Sequence, residues 1–247
     1  LAKDPRIRLV PGPGRGAAAA VNRGLEAARH PVVCQVDQDV VLERRWLPPL
    51  LEALADPGVA AAQVVYVSAP EAGLPARVAA ADLRQRWSRL GDGGTDHVAT
   101  GVTAYRRAAL EAVGGLDESL GYGYDNDLSY RLRAAGWRLV LCPRARAVHH
   151  WPSTLVGYLR RQYGMGAGRL DLVARHPRRL LGDRVSGPAM ILHVPVTLAA
   201  LLLAGASPVL AALGAGWRWW AATALALTGL LAAERVPAAL RAARRSR

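Results

Sequence analysis

The chain of 247 residues has no phenylalanine, two cysteines, two methionines and one lysine, Lys3. Cys34 and Cys142 stand far apart in strand-like apolar runs. That spacing excludes a disulfide framework and a cysteine metal cluster, and it favours a reducing compartment. Aromatic residues make up 6%. No aromatic cluster interleaves the arginines, so a base-stacking nucleic-acid surface is not expected and no nucleic-acid partner is assigned. The first residues are polar and lack a signal-peptide pattern. Acidic residues are few: 19 against 32 basic ones, a formal net charge of +13. GxSxG, HExxH and Walker A motifs are all missing. Gly12-Pro13-Gly14-Arg15-Gly16 lacks the GxGxxG spacing, and Pro13 has no backbone donor to offer a phosphate.

Hydrophobic residues make up 51% and charged residues 21%, enough for an α/β domain with a real core. The near-exclusive use of arginine, with abundant Ala, Gly and Pro, fits a GC-rich coding bias. Up to His150 there are 19 basic and 16 acidic residues. From Trp151 onward there are 13 basic and 3 acidic. A basic second half that also carries long apolar runs points to an anionic membrane surface.

Arg6–Val10 alternates as a half-buried strand does. Ala17–Arg29 is rich in helix formers, with Val21 and Leu25 at i, i+4 spacing. Val32–Val36 reads as a buried parallel strand ending at Asp37-Gln38-Asp39. A helix is expected over Trp46–Leu54, a strand over Val59–Val67 and irregular or helical chain over residues 68–95, with a flexible loop at Gly91-Asp92-Gly93-Gly94. Then come a strand (Val98–Tyr105), a helix (Arg106–Val113) closed by Gly114-Gly115, a helix (Leu128–Ala135) and a strand (Arg138–Cys142) closed by Pro143. Strands alternating with helices predict an α/β fold with a mostly parallel sheet flanked by helices.

No charged residue occurs from Val185 to Trp217, more than the ~20 residues that span a bilayer. A second apolar run begins at Trp219 and meets Glu234 and Arg235. The expectation is a C-terminal transmembrane helical hairpin over 184–240 with a basic tail, 241–247, after a domain covering 1–183. Trp217, Trp219 and Trp220 sit where an aromatic belt would lie. Arg175, Arg178, Arg179 and Arg184 precede the hairpin, and Arg241, Arg244, Arg245 and Arg247 follow it. By the positive-inside rule both flanks, and the soluble domain, face the cytoplasm.

Three groups of residues carry chemistry. Asp37 and Asp39 lie two apart, so a strand end aims both to one side, into the crevice beyond a sheet. Such a pair suits Mg²⁺ or Mn²⁺ shared with a diphosphate, or simply a turn. Asp125, in Tyr124-Asp125-Asn126-Asp127, is a candidate general base or a helix N-cap. His149-His150 follows a strand and offers a neutral imidazole to a metal.

The stretch RGAAAAVNRGLEAARHPVVCQVDQDV resembles the donor-site region of family 2 glycosyltransferases, which have a GT-A (Rossmann-related) fold. TGVTAYRRAALEAVGGLDESLGYGYDNDLSYRLRAAGWRLVLCPRARAVHH resembles their acceptor half. The resemblance covers roughly residues 6–180. It implies donor binding by Asn22, Asp37 and Asp39, with Asp39 and His149 as metal ligands for Mg or Mn. It implies Asp125 as the catalytic base and Thr100, Gly101 and Asp127 on the acceptor side. The implied reaction is an inverting, metal-dependent transfer of a hexosyl or deoxyhexosyl group from a nucleotide-diphosphate sugar to an acceptor hydroxyl, lipid-linked or in a cell-envelope glycan. Tyr124 stands where the family has glutamate. Gln162-Tyr163-Gly164-Met165-Gly166 does not match the processive Gln-x-x-Arg-Trp motif, which favours single-sugar transfer. The family's first two strands would precede Leu1, so the sequence reads as N-terminally truncated. The alternatives are a non-catalytic remnant serving as a membrane partner subunit, and a nucleotidyltransferase of related fold that has no need of Asp125.

Overall fold

The computed structural model describes residues 4–90 and 94–244. Most of the expected 91–94 loop and the end of the basic tail lie outside the described residues. The chain forms two compact units, Leu1–Leu180 and Leu181–Arg247.

The first unit is an α/β layer structure. Its helices are α1 (Ala17–Ala27), α2 (Leu47–Leu54), α3 (Leu74–Trp87), α4 (Arg107–Ala112), α5 (Tyr124–Ala134) and α6 (Leu155–Arg175). Its strands are β1 (Val32–Val36), β2 (Val40–Leu42), β3 (Val59–Ser68), β4 (Gly94–Thr95), β5 (Val102–Arg106) and β6 (Arg138–His149). The strand order is β1-β5-β3-β6-β2, and β4 pairs with β6.

The sheet is mixed, which corrects the expectation of a mostly parallel one. Among the described residues only β3 and β6 pair in parallel. The β1–β5, β3–β5, β2–β6 and β4–β6 pairs are antiparallel. The helix crossover from β1 to β3 does leave those two strands running the same way, but β5 occupies the gap between them in reverse. Val32–Val36 is accordingly an antiparallel edge strand, half-buried, with Cys34 exposed. Arg6–Val10 is not a strand. Leu9 is 86% exposed and no strand pairs with this segment among the described residues; an unpaired strand would leave its backbone groups unsatisfied. β6 does not stop at Pro143. Its pairing with β3 jumps from Val64↔Cys142 to Val65↔Arg146, so Pro143–Ala145 arch out and the strand resumes to His149. Proline is tolerated there because the arch needs no ladder donor. The helix expected from Leu128 starts earlier, at Tyr124.

Central β3 is buried almost throughout, as a strand covered on both faces must be. Ala60, Ala61 and Leu139 meet Leu128 and Leu132 of α5, Ala109 and Leu110 of α4 and Ala18 of α1 in one core, with Val21 and Leu25 packed against it. α2 accepts Pro48 and Pro49 because they lie in its first turn, where no intrahelical donor is needed. Gly123 enters α5 at φ 78°. The acidic first turn of α5 (Asp125, Asp127) and its basic last turn (Arg131, Arg133) both complement the helix dipole.

The turn between α4 and α5 is tied to α1. Asn22 Nδ2 donates to Leu116 O (2.8 Å) and Glu118 Oε1 (3.1 Å), and Leu116 N donates to Asn22 Oδ1 (2.9 Å). Gly115, at φ 70°, passes so close that a Cβ there would lie 2.8 Å from Asn22 Oδ1.

In the second unit, α7 (Pro188–Ala212) and α8 (Trp217–Arg244) pack against each other. Ile191–Ala212 has a mean hydropathy of 2.0 over its window and is long and apolar enough to cross a membrane. Among the described residues it is the one helix that meets that measure, so a two-legged membrane hairpin reduces here to one candidate span. Arg218, Glu234 and Arg235 interrupt the apolar character of α8.

Gly115→Ala should destabilise the first unit by roughly 1–2 kcal/mol, from the left-handed backbone alone. Asn22→Ala should cost about 2 kcal/mol through its lost hydrogen bonds. Denaturant titration of the double variant should give less than the sum, because both changes break one link.

Candidate active site

The register of the sheet brings five strand ends together. β1 pairs with β5 so that Val36 faces Val102, which sets Asp37 beside Gly101; Asp37 N donates to Gly101 O (2.8 Å). β2 pairs with β6 so that Val40 faces His149, and His150 N donates to Asp39 O (2.9 Å). β3 reaches the same end with Ser68 opposite His149. β1, β3 and β6 run the same way, and this is the end at which they finish, where α/β proteins open their ligand crevices.

Asp39 Oδ2 lies 3.9 Å from His149 Nε2. Asp37 Oδ1 accepts from Gln35 Nε2 (2.7 Å). Burial lifts the Asp37 carboxyl above the ordinary carboxylate range. The neighbouring charges of Asp39 and Asp125 lift it further, against the pull of Gln35. Asp125 thus shares an electrostatic field with Asp37 although it comes from α5. It is partly buried, and that burial raises its carboxyl. His97, the backbone N–H of Asn126 (2.9 Å to Oδ1) and Arg161 of α6 counteract the rise.

His149 sits in an aromatic box. Its ring stacks on Trp151 (centroids 4.5 Å apart, planes 12° apart) and meets Tyr66 edge-on (5.4 Å); Tyr66 also touches Trp87 (5.6 Å). Burial in that box drives the imidazole down to about 4, opposed by Asp39 and reinforced by Arg161 and His150. The ring is therefore neutral near pH 7, the form that ligates metals. Its Nδ1 is buried without a partner among the described residues. Tyr66 Oη accepts from Val102 N (2.6 Å). A Cβ at Gly101 would lie 2.6 Å from Tyr66 Oη and 3.5 Å from Asp37 Oδ2, so only glycine lets the three groups converge.

No three His, Cys, Asp or Glu side chains form a ready metal cluster among the described residues. Asp39 Oδ2 and the neutral imidazole that faces it through Nε2 fit a cation that takes its remaining oxygens from water and a diphosphate, as Mg²⁺ and Mn²⁺ commonly do. They do not form a closed all-protein cage.

Two expected site residues are engaged elsewhere. All the bonds of Asn22 go to the turn described above. Asp127 is buried, with Oδ2 held by Arg131 (2.7 Å) and Oδ1 by His176 Nε2 (2.8 Å). Arg131 in turn caps Gly115 O (2.7 Å). Thr100 is buried beside Tyr124.

The family described as glycosyltransferase like family 2 matches residues 2–163. The chain belongs to this family. A pre-mycofactocin glycosyltransferase of Mycobacterium tuberculosis, from strains CDC 1551 and H37Rv alike, is 33% identical over 205 residues, covering 81% of this chain and 44% of that protein. The succinoglycan biosynthesis protein ExoA of Rhizobium meliloti is 29% identical over 212 residues, covering 81% of this chain and 62% of that protein. The chain thus spans about half the length of these curated relatives. Among solved structures, mannosyltransferase PcManGT from Pyrobaculum calidifontis, in complex with GDP-Man and Mn²⁺, matches with a TM-score of 0.58 at 24% identity. The match covers 94% of this chain and 66% of that one, and it shows a shared α/β GT-A-like fold.

Within this family 2 domain, sequence reasoning passed over Tyr66, Trp87, Trp151, His97 and Arg161. Tyr66 is the one aromatic residue of β3, and Trp151 follows the two histidines directly. Those were the available signals.

His149 should leave a signature in stability. The unfolded ring titrates near 6.5 and the folded one near 4, so below 6.5 the unfolded state binds more protons. The stabilisation is present above 6.5 and is lost as the pH falls toward about 4. Urea unfolding across that range should show the loss in the wild type and a weaker pH dependence in His149→Gln.

Proposed function

We propose that this chain transfers a single sugar from a nucleotide-diphosphate sugar to an acceptor hydroxyl, with inversion, using a divalent cation. The observation that carries the reading is the convergence of Asp37, Asp39, Asp125 and His149 at one end of the sheet, within a family 2 domain. The solved mannosyltransferase that shares the fold carries a nucleotide sugar and Mn²⁺, which agrees with this choice of donor and ion.

Asp39 and the neutral His149 would hold Mg²⁺ or Mn²⁺, and Asp37 would hold the donor side of the site. When bound, the cation offsets the negative charge that grows on the departing diphosphate. Asp125 takes the proton from the acceptor hydroxyl as that oxygen attacks the anomeric carbon, and the bond to the diphosphate breaks on the opposite face. Asp125 suits the task. Burial raises its carboxyl above an ordinary aspartate, against the pull of His97 and Arg161, which makes it a better proton acceptor once ionised. Thr100 and Gly101 border the acceptor side, Thr100 through Tyr124 and Gly101 through its contact with Tyr66. Asn22 and Asp127 act at one remove. Asn22 anchors the turn that leads to α5, and Asp127 locks α5 to Arg131 and His176.

The acceptor is taken to be lipid-linked or part of a cell-envelope glycan, in keeping with α7 and with a relative named for succinoglycan biosynthesis. The arginines from Arg175 to Arg184 ahead of α7 support a catalytic unit on the cytoplasmic face of the cell membrane.

Asp125→Asn should lower kcat by about 10²–10⁴-fold with little change in donor KM. Asp39→Ala should lower turnover and raise the Mn²⁺ concentration needed for half-maximal rate. Both are read from release of nucleoside diphosphate in a donor screen, with circular dichroism checking the fold. Wild-type turnover in both variants would overturn the proposal. The wild-type rate should also rise with pH through a value above the ordinary 3.8 of an aspartate, because the base must be ionised. That limb should be missing from the residual rate of Asp125→Asn.

A further inference from the structure

The end of α6 and the residues just after it grip three elements around Asp125. Arg175 donates from Nε to Asp117 Oδ2 (3.1 Å) and from Nη2 to Ser119 Oγ (2.8 Å), in the turn that leads to α5. His176 Nε2 lies 2.8 Å from Asp127 Oδ1, in the first turn of α5 itself. Arg179 Nη1 lies 3.5 Å from Asp96 Oδ2, in the segment between β4 and β5. Tyr130 of α5 touches two of these residues: its ring meets His176 edge-on (5.2 Å) and carries the Arg179 guanidinium over its face (4.8 Å). Pro177–Arg179 form one tight 3₁₀ turn, and Arg169 of α6 donates to Arg179 O (2.6 Å), which holds the gripping segment in shape.

The element most in need of such a grip is the one that bears Asp125. Asp125 is the second residue of α5, and Gly123 before the helix supplies no side-chain cap. The first turn of a helix has backbone donors without intrahelical partners, and helix ends open readily unless something else holds them. Here the hold comes from the side. His176 and Arg131 occupy the two carboxylate oxygens of buried Asp127. Arg131 belongs to α5, so His176 is the partner that ties Asp127 to another element. A second tie runs through Ser129, which donates to Asp125 O (2.7 Å) and accepts from Val98 N (3.1 Å). Arg179 steadies that tie by holding Asp96, two residues before Val98. A general base must reach its proton within about 2.6–3.2 Å, so a small swing of this turn takes it out of range.

We infer that His176 and Arg179 are positioning residues for sugar transfer: they clasp the first turn of α5 so that Asp125 meets the acceptor hydroxyl. The inference rests on the reading of Asp125 as the base. Arg175 and Arg179 stand among the arginines ahead of α7, yet both are engaged with the catalytic unit. Arg178 between them is exposed and serves as the control.

The test incubates the full chain with Mn²⁺, the radiolabelled nucleotide sugar selected by the donor screen, and a heat-treated cell-envelope fraction of the source organism as acceptor. Sugar retained in the fraction measures transfer, and free sugar measures hydrolysis of the donor by water. The ratio of the two does not depend on how much of the protein is folded. Water approaches from many directions, whereas an acceptor hydroxyl is fixed by the rest of its molecule, so a displaced base lowers transfer more than hydrolysis. His176→Ala should lower the ratio by roughly tenfold, with donor KM unchanged. His176→Gln, whose amide can donate to Asp127, should restore most of it. Arg179→Ala should lower the ratio as well, and Arg178→Ala should leave it at the wild-type value. A wild-type ratio in His176→Ala, or no recovery in His176→Gln, would overturn the inference. An equal fall in Arg178→Ala would overturn it too, by tracing the effect to charge ahead of α7. A wild-type ratio in Asp125→Asn would sink the reading of the base instead, which tells the two failures apart.

Discussion

The candidate site depends on strand register. Val36 opposite Val102 and Val40 opposite His149 are two pairings on different edges of one sheet, and together they decide which side chains meet. Each is antiparallel, so each joins the end of one strand to the beginning of another. A slip of one residue in either would turn its carboxylate to the far face. Central β3 links the two edges, and its long buried run of small residues makes a slip costly.

Charge and burial oppose each other at this end of the sheet. Asp37 and Asp125 are held in surroundings that resist ionisation, and Asp39 adds a third acidic group. The aromatic box strips the proton from His149, so no imidazolium balances them. Arg161 helps Asp125 but disfavours a charged His149. The arrangement is therefore short of positive charge at the point where a cation is proposed to sit, and binding the cation would relieve a repulsion that the folded chain tolerates. That repulsion is offset by packing away from the site, in the core shared by α1, α4, α5 and the sheet.

Much of this was legible in the sequence. Val32–Val36 leading to Asp37-Gln38-Asp39 announced a strand end with paired carboxylates, and the family resemblance carried the assignment of Asp125 and His149. The direction of the sheet was not legible. Local periodicity reports that β1 and β3 are strands, yet it is silent on the later β5 inserting between them. β2 has three residues, too few to show an alternation, although it is the element that delivers Asp39 to His149. The partners of Asn22 and Asp127 were equally hidden. An Asn on a helix and an Asp in its first turn look available in sequence, and only long-range contacts reveal that their polar atoms are already taken. The contributions of Tyr66 and Arg161 come from tertiary proximity, which residue type alone does not signal.

The arch at Pro143–Ala145 divides β6 into two lengths with separate jobs. Arg138–Cys142 is bound to the core, whereas Arg146–His149 is bound to the crevice. Because the arch leaves the ladder and returns, its own length is uncoupled from the phase of either part. Lineages can lengthen or trim this hump while His149 keeps its facing, but one residue gained between Arg146 and His149 would invert it. Sequence drift should therefore accumulate on one side of Arg146 and be barred on the other.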